Sequence, residues 1–153
     1  MKVLSLIVGL IFASLRYGEA QELLAPNAKI TPERVVEIQL TALQQNDNPS
    51  VDAGILQAWR FAHPDNKRYT GPFARFAAMV KNSNYNIMLN HLRHDINNVV
   101  VTENYALFEV KIVSEDGNNA VFNWELMKAN TGTVVGAWMT TAVSPPIKAK
   151  GSI

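Results

Sequence analysis

The chain has 153 residues, of which 48% are hydrophobic, with 14 basic and 13 acidic residues and no cysteine. A disulfide framework, thiol catalysis and thiolate metal sites are thereby excluded, and the length is that of one domain, able to bury roughly 70% of the surface its unfolded chain exposes. With Lys2, Arg16 and Glu19 set aside, the remaining 12 basic and 12 acidic residues cancel, which is no footprint for nucleic acid, whose phosphates are held by clustered Lys and Arg.

Residues 1–20 read as a signal peptide or a membrane anchor. Lys2 precedes an apolar run over 3–15, and the small residues Gly18 and Ala20 close the segment. The run is shorter than the ~20 residues needed to span hydrocarbon and matches a signal-peptide core, which predicts cleavage before Gln21. Retained, the same run gives membrane association through residues 3–15, with Arg16 and Glu19 at the interface. Both readings put the domain in an extracytoplasmic compartment, either secreted, periplasmic or in an organelle lumen. Asn48-Pro49-Ser50 is no glycosylation acceptor, because of its proline.

Residues 21–30 read as a linker that ends at a helix start. Thr31 can cap, Pro32 suits the first helical position and Glu33 favours the positive end of the helix dipole. Val35, Val36, Ile38, Leu40, Ala42 and Leu43 then form a broad apolar stripe at helical spacing, stopped by Asn46-Asp47-Asn48-Pro49. Asp47 and Asp52 flank this boundary, where turn and cap chemistry accounts for them. A second helix is expected from about Ser50 or Asp52 through Ile55, Leu56, Trp59 and Ala62, ended by His63-Pro64. A third follows Gly71-Pro72, with Phe73, Phe76, Ala77 and Val80 on one face.

From His91 the period changes to two. Strands are expected over 91–96, over 99–113, over 120–129 and over 133–143, with hairpin signals at Asp116-Gly117 and Asn130-Thr131-Gly132 and a stop at Pro145-Pro146. Ala106, Phe108, Val110 and Ile112 share one face of the second strand, and Phe122, Trp124 and Leu126 one face of the third. The opposite face is mixed. Helices grouped before strands define an α+β domain, N-terminal helices packed on a four-stranded antiparallel meander. Phe73, Phe76 and Val80 are expected against the apolar face carrying Phe108 and Trp124. Gly136 inside the last strand marks either a bulge or a close backbone approach. The domain is placed at 31–145 and a tail at 146–153.

This order of elements resembles the nuclear-transport-factor-2-like fold, the ketosteroid-isomerase or cystatin-like cone. The segment from Val35 to Asp47, then Ala58-Trp59-Arg60-Phe61-Ala62-His63-Pro64, Gly71-Pro72-Phe73-Ala74-Arg75-Phe76 and Met79-Val80, is similar to an uncharacterised family of small proteins found in bacteria and photosynthetic eukaryotes. The similarity covers about 31–145. It departs at His63, where the family usually carries Ser or Gly before the proline. It implies a curved sheet that encloses a cavity with the helices, and it supplies no catalytic residue.

With a cavity expected, the question is which polar groups face inward. Strand alternation puts Leu92, His94 and Ile96 on one face and His91, Arg93 and Asp95 on the other, so His94 is expected inside and His91 in solvent. An inward imidazole could act as a general base, with Tyr85 or Tyr105 as donor. The bland reading is a core histidine bonded to a backbone carbonyl or to one of those tyrosines. Trp59, Phe76, Phe108 and Trp124 are the candidate pocket-lining aromatics, and at these spacings they serve equally as core. His91 and His94 on opposite faces do not form a metal pair. No motif calls for a cofactor, since neither a Gly-rich phosphate loop nor a nucleophile elbow is present. The favoured reading is a noncatalytic module for a small apolar ligand or a protein partner, such as an accessory subunit of a membrane complex, with a homodimer through the mixed sheet face as a further expectation. The alternative is an isomerase, dehydratase or cyclase built on His94.

Overall fold

In the computed structural model, which describes residues 22–147, Thr31 caps α1 (Pro32–Gln44) by accepting the Arg34 N–H at 3.3 Å, with Pro32 in the first turn. Val35, Val36, Leu40 and Leu43 on this helix are buried, as its stripe requires. The leader, residues 1–20, and the end of the tail lie outside the described residues. Residues 22–30, expected as a linker, run beside α2 (Ala53–Arg60), where the Gln57 amide both accepts from Leu24 N at 2.8 Å and donates to Leu24 O at 3.0 Å.

The turn between α1 and α2 is built on Asn46, buried at 3% exposure. Its carbonyl accepts from Gly54 N at 2.8 Å and its side-chain oxygen from Ile55 N at 3.1 Å, so a residue before the turn caps the helix after it. Asp52, at φ 62, makes no cap bond and instead meets Lys81 at 2.5 Å, while the Asp47 carboxylate accepts from Asp52 N at 3.0 Å. The two helices touch at Gly54, where an added Cβ would stand 2.1 Å from the Ala42 carbonyl oxygen.

The second helix stops at Arg60, two residues short of the expected Ala62, and His63-Pro64, expected as a stop alone, opens a further helix, α3 (Pro64–Thr70). The His63 Nδ1 accepts from Asp65 N at 3.1 Å, proline occupies the first turn and Asp65 follows it, which is a complete start signal. Then comes α4 (Phe73–Val80). Val80 is buried in the core, whereas Phe73 and Phe76 remain half-buried, their rings 6.3 Å and 4.9 Å from that of Trp59. The expected docking thus holds for Val80, which shares one buried cluster with Phe108 and Trp124, while Phe73 and Phe76 pack against that cluster only half-buried: α4 leans on α2 and leaves space beneath Phe76.

The sheet is a four-stranded antiparallel meander in the order β1 (Arg93–Val101), β2 (Tyr105–Val113), β3 (Asn119–Lys128), β4 (Trp138–Val143). The first hairpin differs from the sequence reading. Asn97-Asn98 lies inside β1 at a register shift, and the chain turns at Thr102, whose N–H donates to Tyr105 O at 2.8 Å. Neither glycine nor proline marks that turn, and so strand residues on both sides merged into one pattern. The last strand is also shorter than expected, because Gly136 at φ 80 stands in the turn before it. Beyond β4 the sheet edge is closed by Ala62, with Thr140 N donating to Phe61 O and His63 N to Thr140 O, both at 2.8 Å. Phe108, Val110, Ile112, Phe122, Trp124 and Leu126 form the buried face beneath the helices.

Replacing Gly54 with alanine would gain up to ~1 kcal/mol of helix propensity. The Cβ would however be driven into backbone, so a net loss of about 3 kcal/mol is expected in urea unfolding. A loss below about 1 kcal/mol would mean that α1 and α2 do not approach so closely.

Candidate functional site

A cavity of about 230 Å³ lies between α4 and the sheet, below Phe76. Leu43, Phe76, Met79, Val80 and Met88 give it apolar walls. Its floor is polar and buried. Gln39 of α1 is 3% exposed, Thr140 of β4 2% and Trp124 of β3 2%. The Trp124 indole N–H donates to Gln39 Oε1 at 3.0 Å and to Thr140 Oγ1 at 3.1 Å, the Thr140 hydroxyl donates to Gln39 Oε1 at 2.6 Å, and Gln39 Nε2 donates to the Ala58 carbonyl at 3.0 Å. An indole N–H only donates and a carbonyl only accepts, which fixes the orientation of the amide. Half-buried Asn66, Thr70, Tyr85 and Val143 stand at the mouth.

Of the aromatics singled out in the sequence, Phe76 and Trp124 line this cavity. Trp59 stands behind Phe76, and Phe108 is packed in the core at 1% exposure. Tyr85 is at the mouth, stacked on Phe122 at 6.2 Å and donating its hydroxyl to Val143 O at 3.3 Å, with burial pushing its pKa up. Tyr105 begins β2 opposite Met127, its side chain on the sheet face away from the cavity. Its pKa is raised by desolvation and by the charge of Glu125. Tyr85 is the one titratable residue among those lining the cavity.

His94 is elsewhere. It lies in a shallow groove with Glu33, Arg34, Glu37 and Asp95, between the start of α1 and β1. Its partner is neither tyrosine but His91, whose Nε2 stands 2.7 Å from His94 Nδ1. His91 is buried at 3% exposure, with Nδ1 2.7 Å from Met88 O. The expectation of a solvent-facing His91 is therefore corrected: β1 begins at Arg93, so strand alternation does not extend back to residue 91. Because the Met88 carbonyl only accepts, His91 carries its proton on Nδ1. In the neutral pair His94 then donates from Nδ1 and keeps the lone pair of its Nε2.

The functional groups missed in the sequence are Gln39 and Thr140. Gln39 had a legible signal, since it lies four residues from both Val35 and Leu43 and so interrupts the buried stripe of α1. Thr140 shares its strand face with Trp138 but resembles any strand threonine. Among the described residues no group of three or more His, Asp or Glu is placed to hold a metal ion, and no helix is long and apolar enough to cross a membrane.

These features define a small α+β domain with a largely apolar cavity over an uncharged polar floor. The chain belongs to the family described as Domain of unknown function (DUF4864), whose model matches residues 25–145. Comparison with curated proteins and with solved structures gives no match.

Both imidazoles are held below their ordinary pKa. Burial lowers His91 against the pull of the Met88 carbonyl, with the charge of His94 adding to the drop. Burial likewise lowers His94, opposed by the charges of Glu37 and Asp95. The unfolded chain thus takes up these protons more readily than the folded one. The stability contributed by the neutral pair is complete above the ordinary value of ~6.5 and is lost as pH falls below it. Melting temperature should decline below about pH 6.5, and less steeply in His94→Asn, whose amide can still donate to His91. A pair that titrates like free imidazoles would give no difference between the two proteins.

Proposed function

We propose that this protein is a noncatalytic binding module of the nuclear-transport-factor-2-like cone type, exported or membrane-tethered, whose cavity receives a small apolar ligand. One observation carries the reading: the cavity is lined without carboxylate, imidazole or ammonium, and its one phenol already donates to a backbone carbonyl. An isomerase or dehydratase needs a base within reach of its substrate. His94, the base the sequence offers, is absent from the cavity lining and bonded to another histidine. The apolar run over residues 3–15 supports export or tethering. The mixed outer sheet face, with Leu107, Val121 and exposed Met127 among charged side chains, suits a protein partner, a membrane-complex subunit or a second copy.

The test is native and denaturing intact mass of the protein isolated from its own host, from soluble and detergent fractions in parallel. The expected polypeptide begins at Gln21, or begins at Met1 and extracts only with detergent, and its native mass exceeds the denatured mass by a bound small molecule. Soluble cytosolic protein with an intact leader and equal native and denatured masses would overturn the proposal.

A further inference from the structure

The polar floor leaves a specific pair of hydrogen-bonding valences unused, and this deepens the binding proposal above, on which it rests. Gln39 Oε1 accepts from both Trp124 and Thr140 and is saturated. Gln39 Nε2 spends one hydrogen on Ala58 O and retains the other. Thr140 Oγ1 donates to Gln39 and accepts from Trp124, which leaves one lone pair. The backbone of Thr140 is already engaged, its N–H with Phe61 O and its carbonyl with His63 N and with the Asn66 side-chain amide. The cavity floor therefore offers one donor and one acceptor, side by side and both neutral.

We infer that the cavity selects a small uncharged molecule with a single hydroxyl at its buried end, accepting from Gln39 Nε2 and donating to Thr140 Oγ1, and an apolar body against Phe76, Met79 and Val80. A hydroxyl both donates and accepts strongly on one atom without carrying charge at neutral pH, whereas a ketone meets the amide hydrogen but not the lone pair, and an alkylamine is protonated. An ion brings a desolvation cost that no lining group offsets, because none is charged. Size narrows the class further. An apolar cavity of ~150 Å³ takes benzene, and about 230 Å³ lies below the ~300–1,000 Å³ of drug-sized pockets. The ligand is then a ring or short chain on the order of ten non-hydrogen atoms.

The experiment is calorimetric or NMR titration of the full chain with four probes of one shape: benzyl alcohol, toluene, benzoate and benzylammonium. Benzyl alcohol should bind about thirtyfold more tightly than toluene, the worth of two net hydrogen bonds. Both ions should bind at least about a hundredfold more weakly than the alcohol. Thr140→Val, which removes the acceptor and leaves the Gln39 Nε2 donor, should cut the preference for the alcohol over toluene to about fivefold, while Thr140→Ser, which keeps the hydroxyl, should preserve it. If the valine variant does not fold, the wild-type panel and the serine variant still decide. Toluene binding as well as benzyl alcohol, or benzoate or benzylammonium binding as well as the alcohol, would overturn the hydroxyl inference and leave the cavity as a ligand site. Binding of none of the four would overturn the ligand-binding proposal itself, and this inference with it.

Discussion

The side-chain amide of Gln39 joins α1 to α2 through Ala58, to β3 through Trp124 and to β4 through Thr140. A buried amide without partners costs on the order of 1–3 kcal/mol per unmet group, so the helices and the sheet can close around it only in the arrangement that satisfies it. Apolar packing is indifferent to small slips, and this amide is not. It also sets the cavity: with Gln39 and Thr140 held on each other, the floor sits at a fixed depth, and α4, leaning on Trp59 of α2, roofs the space above it. Gly54 enforces the same geometry from the side by allowing α1 and α2 to meet backbone to backbone.

The neutrality of the cavity and the titratable chemistry of the histidines occupy different places in the molecule. His91 and His94 form a chain from the Met88 carbonyl to a free ring nitrogen in a groove with Glu33, Glu37 and Asp95. That chain lies where the turn residues after α4 hand over to β1, and its physical consequence is a fold that favours neutral imidazoles. The cavity contains no group that would change charge near neutral pH.

Much of the fold was legible because the hydrophobic periods are long and clean. The stripe Val35, Val36, Leu40, Leu43 and the alternation Phe108, Val110, Ile112 each outweigh local ambiguity. What the sequence misread were handovers. Thr102-Glu103-Asn104 turns without glycine or proline, Asn97-Asn98 looks like a breaker yet lies in a strand, and His63-Pro64 looks like a stop yet opens a helix. The site was legible in part: Phe76 and Trp124 lie on the cavity, and His94 shares the half-buried face of Ile96 as alternation requires, but that face meets the start of α1 rather than the cavity, and His91 was misplaced by an alternation begun two residues too early. Gln39 could have been found as a polar residue within a buried stripe. Thr140 could not, since its role depends on contacts 101 and 16 residues away in sequence.

The claim on which the fold and the site both depend is that the Trp124 indole N–H is locked into the Gln39 and Thr140 oxygens, and its hydrogen exchange measures that lock directly. Among the three tryptophans, the Trp124 indole proton should exchange slowest in NMR-detected exchange, at a rate approaching that of global unfolding. Exchange as fast as an exposed indole, while the β3 backbone amides remain protected, would contradict the account.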